Sequence, residues 1–461
     1  ELVLAPLTWQ PRLSLLGLRE DYQAWQERLG ALHPDSWHKL WYALALVKSP
    51  RRVEAALHFS GWDGCRLWIN GRLAFEEHSY HHVILDMEKV AFTLEEGMNS
   101  FLFQLDRDGV CARIEVPGEA QALDELRGVA VCEPPAERAV GTFAPMRRYA
   151  AGLKVRRPFK GATKEDLAKW QKSFGAHFRR CLGPAPAYPK QRPAPQLEQE
   201  EVLGGYTRRR YALACEGGGR IPCWVLAPEQ ARLNGRTAVI AHGHEDPRRT
   251  VGADAHSGPR IATGKETHNY AELMAQRGFF TVMINERAFG ERRDYFESQD
   301  PCNVAGLHAQ SMGLTLPRLH LADLHLLYDF ACTFPEVDPN RVGLGGLSGG
   351  GTLSYLAGAF DARFKAVAVF CGMTRYADYA CGSNGCGMQV VPGLYPTGDV
   401  GEVLSLIAPR PLLLAQGRLD STFDVVRFKS LAEDARRAYR AAGAEERLQA
   451  TVMDLAHQFD P

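Results

Sequence analysis

Apolar and polar residues alternate along most of the segment from residue 41 to residue 116, as expected of β-strands with one buried face. Turn-forming residues separate the alternating stretches, and Asn70-Gly71 is the strongest short hairpin signal among them. The predicted strands are 51–59, 65–69, 83–85, 90–94, 100–105 and 110–116. Antiparallel strands at this spacing predict a β-sandwich.

After about residue 202 the pattern changes to short apolar runs separated by segments with helical spacing. The predicted strands are 237–241, 279–284, 341–347, 364–370, 411–415 and 448–453, and the predicted helices are 270–277, 319–334, 352–360 and 423–442. Strands that are apolar on both sides indicate a parallel sheet covered by helices on both faces. We therefore predict an α/β fold, with a mostly parallel sheet, preceded by a smaller all-β sandwich.

A further helix is predicted at 164–181, with Thr163 as its N-cap. Five prolines between residues 184 and 195 then indicate an extended segment. We place the sandwich domain at 1–135, a linker at 136–160 and the α/β domain at 161–461.

Composition narrows the possible functions. A chain of 461 residues is longer than one domain core usually accommodates, which favours two domains. Its 54 basic residues balance 54 acidic ones. A chain without net charge gives no support for a nucleic-acid or anionic-membrane partner. No apolar run approaches the roughly 20 residues of a membrane helix, so we expect no membrane association.

The 11 cysteines are scattered and form no CxxC pair, which gives a zinc ribbon no support. Free thiols are the preferred interpretation, with a Cys381–Cys386 pair as the alternative. Free thiols slightly favour a cytoplasmic location, but the chain begins at Glu1, so a signal peptide is neither shown nor excluded.

The strongest chemical signal is Gly346-Leu347-Ser348-Gly349-Gly350, which follows a predicted strand and begins a predicted helix. This is the setting of a nucleophile elbow, in which a sharp turn exposes the serine. Serine needs a base to take its proton, and in this setting a carboxylate and then a histidine follow along the chain. Since His457 is the one histidine after Ser348, it is the predicted base.

Asp420 is the preferred carboxylate because it lies just past a predicted strand, and Asp424 is the alternative. The backbone N–H groups of Gly349 and His244 are the candidate oxyanion hole. The spacing of His242 and His244, followed by Glu245, matches no zinc motif. Acyl transfer by serine, imidazole and carboxylate needs neither a metal nor an organic cofactor, so none is expected.

These motifs make residues 160–461 resemble the α/β-hydrolase superfamily, in the branch of dienelactone-hydrolase-like and acetyl xylan esterase-like proteins. The resemblance rests on the elbow and on the runs 241–244, 277–280, 285–292, 337–343 and 407–413. The chain departs from dienelactone hydrolases, whose nucleophile is cysteine, and it has Ala288 where the superfamily commonly has glycine.

The sandwich resembles the jelly-roll, galactose-binding-like modules of carbohydrate-active enzymes through Gly61-Trp62-Asp63-Gly64, the run 67–71 and the run 94–99. In such modules Trp62 and Trp68 could stack on a sugar, although for Trp68 core packing is the preferred interpretation.

The sequence therefore predicts a serine carboxylic ester hydrolase that forms an acyl-enzyme. Its expected partner is a small-molecule or carbohydrate ester, with acetyl or other small acyl groups favoured. Two alternatives stay open: a serine peptidase of the prolyl-oligopeptidase type, and a carbohydrate-binding protein with an inactive hydrolase domain. Assembly into a homo-oligomer is left open.

Overall fold

The computed structural model describes residues 3–4, 41–49, 51–61, 65–77, 88–105, 110–115, 149–150, 152–186, 194–215, 219–253, 268–293, 301–376, 386–418, 420, 423, 425–455 and 457–459. The predicted strand at 83–85, Trp62, Cys381 and Asp424 lie outside these residues. The chain divides into two compact units, Glu1–Ala139 and Val140–Arg260 with Gly264–Pro461.

The first unit consists of two antiparallel sheets. Its strands are β1 (Val3–Leu4), β2 (Trp41–Ser49), β3 (Val53–Gly61), β4 (Cys65–Ile69), β5 (Arg72–Glu77), β6 (Glu88–Leu94), β7 (Gly97–Leu105) and β8 (Val110–Glu115). One sheet has the order β1-β2-β7-β4-β5 and the other has the order β6-β3-β8. The two sheets share one hydrophobic core, in which Phe59 of β3 meets Phe103 of β7 with ring centroids 5.6 Å apart.

Trp68 does not occupy this core. Its neighbours Leu67 and Ile69 point into the core and are 0% and 7% exposed, whereas Trp68 is half-buried on the opposite face of β4. The expectation of core packing for Trp68 is therefore wrong, because successive side chains of a strand point to opposite faces.

The Asn-Gly hairpin is present, and a buried asparagine fixes it to the rest of the sheet. Asn70 and Gly71 have φ angles of 48° and 77°, as a two-residue hairpin requires. Asn70 Nδ2 donates to Asn99 Oδ1 over 2.9 Å, and Asn99 Nδ2 donates to the Glu95 carbonyl over 2.8 Å. Asn99 is fully buried. These two asparagines, on which the resemblance to sugar-associated modules partly rests, thus hydrogen-bond within the sandwich.

Replacing Asn99 by Ala should therefore destabilise the first unit by about 2 kcal/mol, because it leaves buried polar groups without their partner. Urea unfolding followed by tryptophan fluorescence measures this. Thr93→Ala is the matched control, since it removes an exposed side-chain hydrogen bond to Glu54 and should change stability by less than about 0.5 kcal/mol. Equal effects of the two substitutions would contradict this role of Asn99.

The second unit is built on a nine-stranded sheet in the order β17-β16-β15-β14-β12-β13-β11-β10-β9. Its strands are β9 (Gln196–Leu203), β10 (Tyr206–Ala214), β11 (Arg220–Pro228), β12 (Thr237–Ala241), β13 (Phe280–Ile284), β14 (Val342–Leu347), β15 (Ala366–Phe370), β16 (Leu412–Gly417) and β17 (Leu448–Met453). Strands β12 to β17 pair in parallel, and β9, β10 and β11 are antiparallel. The sheet is mostly parallel, as predicted.

Both faces of the sheet are covered. On β12, Val239 and Ala241 enter one hydrophobic cluster while Ala238 and Ile240 enter another on the opposite face. The α-helices are α1 (Lys164–Leu182), α2 (Pro247–Thr250), α3 (Tyr270–Gln276), α4 (Pro301–Ser311), α5 (Leu316–Ala331), α6 (Gly349–Phe360), α7 (Val400–Ser405) and α8 (Val425–Ala441). None of the helices in the described part of the chain is both long and apolar enough to span a membrane.

Local capping sets the helix bounds. Thr163 caps α1 as predicted, and Asp166 completes a capping box. Helix α5 begins three residues before the predicted position because the Thr315 side chain accepts a hydrogen bond from the Arg318 N–H. It ends at Ala331, with Cys332 as the C-cap, instead of continuing to residue 334.

Part of the segment assigned to the linker is hydrogen-bonded to the second unit. The Arg156 and Arg157 N–H groups donate to the carbonyls of Pro396 and Thr397 over 2.9 and 3.0 Å. The Trp170 indole on α1 donates to the Arg157 carbonyl over 3.1 Å. These backbone pairs make residues 156–157 part of the second unit.

Candidate active site

Ser348 lies at the sharp turn between β14 and α6, where its φ and ψ are 61° and −124°. Non-glycine residues rarely adopt a positive φ, and such strain is typical of functional turns. The turn closes because Gly346 and Gly350 lack side chains. A Cβ on either one would lie far inside van der Waals contact with the carbonyl oxygen of Ala241, at the end of β12. The backbone is therefore that of a nucleophile elbow.

His457 and Asp420 come together at the same edge of the sheet. Asp420 follows β16 and His457 follows β17, and the Asp420 Oδ2 to His457 Nδ1 distance is 2.9 Å. The side chains of His457 and Asp420 are 4% and 0% exposed. Strands β14 to β17 are successive neighbours in the sheet, so Ser348, Asp420 and His457 all follow strands at the same carboxyl edge.

Two residues that the sequence analysis did not identify hold Asp420. Gln416, the penultimate residue of β16, donates from Nε2 to Asp420 Oδ2 over 2.8 Å, and the Phe423 N–H donates to Oδ1 over 3.0 Å. The Phe423 ring stacks on the His457 imidazole with centroids 5.7 Å apart. The carboxylate and the imidazole are thus oriented by groups outside the predicted triad.

Opposing effects act on the pKa of His457. Burial lowers this pKa, but the charge of Asp420, its hydrogen bond and the charge of Glu245 together raise it above the ordinary value of 6.5. The protonated imidazole is therefore stabilised, as the predicted role of His457 as a base requires.

His244 lies beside the elbow. A Cβ on Gly349 would be 3.2 Å from Nδ1 of the His244 ring. The loop that carries His244 is held by Glu245, whose Oε1 accepts hydrogen bonds from the Gly243 N–H over 3.1 Å and from the Tyr270 hydroxyl over 2.7 Å. From the sequence, Glu245 stands out only beside a possible zinc motif and Tyr270 has no assigned role, because what these two residues do depends on contacts across the fold.

The ring nitrogens of His242 have different hydrogen-bond partners from those of His244. His242 donates from Nδ1 to the Gly243 carbonyl over 2.8 Å and accepts at Nε2 from the Glu286 N–H over 2.9 Å. Both of its ring nitrogens are therefore used by the backbone. A metal held jointly by His242 and His244, for which the sequence matched no zinc motif, has no support in this geometry either.

Ala288 has a φ of 70° and is buried. The resemblance put glycine at this position, and the backbone conformation gives the reason, because glycine adopts a positive φ without steric cost.

The mostly parallel sheet, the helices on its two faces and the strand–serine–helix turn define the α/β-hydrolase fold. No family model matches the chain. Among solved structures, it resembles a "putative acetyl xylan esterase" from Bacteroides fragilis, with a TM-score of 0.55, 17% identity and coverage of 69% of this chain and 83% of that one. It also resembles a glucuronoyl esterase from Solibacter usitatus, with a TM-score of 0.50, 15% identity and coverage of 64% and 90%.

One curated relative is the uncharacterized protein PA2218 of Pseudomonas aeruginosa. It is 34% identical over 98 residues, which are 21% of this chain and 22% of the relative. The match thus spans about a fifth of the length of that protein.

Replacing Ser348 or His457 by Ala should lower the turnover of an ester substrate roughly 10⁴-fold or more. Asp420→Ala should lower it on the order of 10³- to 10⁴-fold, because the imidazole then loses its orienting carboxylate. Steady-state kinetics with circular dichroism as a folding check measure these effects. Asp424→Ala is the matched control, and loss of activity there with full activity in Asp420→Ala would move the acid to Asp424.

The raised pKa of His457 predicts the pH dependence. The base must be neutral to accept a proton, so kcat/KM should fall as the pH decreases through a midpoint above 6.5. Glu245→Gln removes a negative charge that favours the imidazolium, so the midpoint should move to lower pH. Glu229→Gln, which removes the charge of an exposed glutamate far from His457 along the chain, is the control. An unchanged midpoint in Glu245→Gln would contradict this electrostatic account.

Proposed function

We propose that the second unit is a serine esterase that hydrolyses carboxylic esters of small acyl groups. The observation that carries the proposal is that the strained Ser348 after β14 and the hydrogen-bonded Asp420–His457 pair after β16 and β17 lie at the same edge of the sheet. A strained serine at this kind of turn and a buried carboxylate–imidazole pair are together the apparatus of acyl transfer.

In the proposed reaction the Ser348 Oγ attacks the ester carbonyl carbon while His457 Nε2 takes the hydroxyl proton. The carbonyl oxygen becomes an oxyanion, which the N–H groups of Gly349 and His244 stabilise. Collapse of this intermediate breaks the bond to the alcohol, and His457 returns the proton to the leaving oxygen. Water then attacks the acyl-enzyme by the same route and releases the acid.

Asp420 acts on the base and not on the substrate. Its hydrogen bond to Nδ1 fixes the tautomer in which Nε2 can accept a proton, and its charge stabilises the imidazolium. Gln416 and Phe423 keep this carboxylate in place. The pair therefore needs little rearrangement when the proton moves.

Carbohydrate esters are the proposed substrate class. The structural neighbours described above are named a "putative acetyl xylan esterase" and a glucuronoyl esterase, which supports this choice at the level of the fold. We also propose that the first unit is a jelly-roll module of the kind attached to carbohydrate-active enzymes. Its two antiparallel sheets around one core are consistent with that architecture.

A substrate screen tests the proposal. The purified chain should hydrolyse p-nitrophenyl acetate faster than longer acyl esters, and it should release acetate from acetylated saccharides. Ser348→Ala, which leaves the protein without its nucleophile, is the control for background hydrolysis. Labelling of the wild type by a fluorophosphonate without ester turnover would contradict the esterase proposal and favour the serine peptidase alternative. Absence of both labelling and turnover would overturn the proposal.

A further inference from the structure

Three sulfur and nitrogen ligand atoms converge beside the elbow. The Nε2 of His244 lies 3.2 Å from the Sγ of Cys386 and 3.8 Å from the Sγ of Cys302. All three atoms lie within 4.8 Å of one another. Cys302 and Cys386 are 0% and 4% exposed, and His244 is half-buried. We call these three residues the thiol–imidazole cluster.

The nitrogen–sulfur separations of 3.2 and 3.8 Å are close to those around a tetrahedral metal ion. Zinc binds thiolate sulfur at about 2.3 Å and imidazole nitrogen at about 2.0–2.1 Å, which sets neighbouring ligand atoms about 3.5–3.8 Å apart in a tetrahedron. Two thiolates and one imidazole form a ligand set that favours zinc over the hard cations calcium and magnesium, which take oxygen ligands. Three protein ligands leave a fourth position for water, as in open zinc sites.

The fold holds the two cysteines together before any ligand arrives. Cys302 is the second residue of α4, and the N–H of Gly387, next to Cys386, donates to Asn303 Oδ1 over 2.8 Å. A Cβ on Gly387 would clash with the Cys302 carbonyl, and a Cβ on Gly306 would lie 3.1 Å from the Gly387 Cα. The two backbones therefore touch, so the thiols need little ordering to bind an ion.

The imidazole is positioned as well. The Phe289 ring meets the His244 ring edge-on, with centroids 5.2 Å apart and an interplanar angle of 88°. The ring presents Nδ1 towards Gly349 and Nε2 towards the two sulfurs. Positioned ligands and a supporting shell are what distinguish a metal site from three residues that happen to be close.

We propose that His244, Cys302 and Cys386 form a zinc-binding site one imidazole ring away from the nucleophile elbow. The ion would join the loop after β12, the first turn of α4 and the loop at residue 386. Its role is to hold the His244 loop in place, and ester hydrolysis by the triad does not require it. The site was not expected from the sequence, since its ligands are 58 and 84 residues apart along the chain.

Cys181 and His177 on α1 provide a comparison within the same chain. Their Sγ and Nε2 atoms lie 3.4 Å apart, a contact like that of Cys386 and His244. Among the described residues, no second thiol or carboxylate completes a three-ligand group there. If a single thiol–imidazole contact sufficed, both places would bind zinc equally.

Metal titration of the reduced, chelator-treated full chain tests the site. Co²⁺ should bind in a 1:1 ratio and give the visible bands of a tetrahedral ion with thiolate charge-transfer absorption, and Zn²⁺ should displace it. Cys302→Ser and Cys386→Ser should each weaken binding on the order of 100-fold or more. Cys181→Ser is the matched control and should leave the affinity unchanged.

The proposal would be overturned if the wild-type chain gave no stoichiometric thiolate–Co²⁺ spectrum. This measurement does not depend on the folding of any variant. Retained binding in a folded Cys302→Ser/Cys386→Ser double variant would overturn it equally. Running the titration in Ser348→Ala separates it from the proposed esterase function, because binding there is expected to be unchanged whether or not the chain hydrolyses esters.

Discussion

The close approach of two backbones at the Ala241 carbonyl is the constraint on which the site depends. Gly346 before the serine and Gly350 after it both lie against this oxygen, and neither position has room for a Cβ. Their contact lets β14 turn directly into α6 with Ser348 at a φ of 61°. It also brings the loop after β12 beside the turn, so that the strain at the serine and the placement of His244 have one common cause.

Polar groups behind the predicted triad supply the order that the site needs. Asp420 is held by Gln416 and by the Phe423 N–H, while Glu245 holds the loop on the opposite side. Buried charges are costly unless they are hydrogen-bonded, and here each carboxylate accepts at least two hydrogen bonds. The same bonds that offset the cost of burial also fix the geometry, which links the stability of this region to its chemistry.

The His244 loop connects two different kinds of chemistry. On one side its ring faces Gly349, next to the nucleophile, and on the other it faces two buried thiols. A serine esterase needs a fixed loop for its second oxyanion donor, because a donor that must reorganise stabilises charge less well. A metal ion held by three separate segments would provide such fixation, which gives the proposed zinc site a physical purpose beside a metal-independent reaction.

The sequence by itself determined the features that depend on local spacing. Apolar runs predicted the parallel strands, and β12 and β17 have the predicted bounds; Asn70-Gly71 predicted the hairpin and Thr163 the start of α1. The glycines around Ser348 indicated the elbow because steric exclusion at a turn is a local property. Alternation along β4 places Trp68 on the face opposite Leu67 and Ile69, although core packing was the preferred interpretation for it.

Only the tertiary structure decided what depends on segments distant along the chain. Asp420 is separated from His457 by 37 residues; its position after a predicted strand favoured it over Asp424, but only the folded chain places its carboxylate 2.9 Å from the imidazole. The roles of Gln416 and Glu245, and the meeting of His244 with Cys302 and Cys386, arise in the same way. Hydrogen bonds and metal ligation act over a few ångströms in space, and separation along the sequence does not reveal which side chains the sheet will bring within that range.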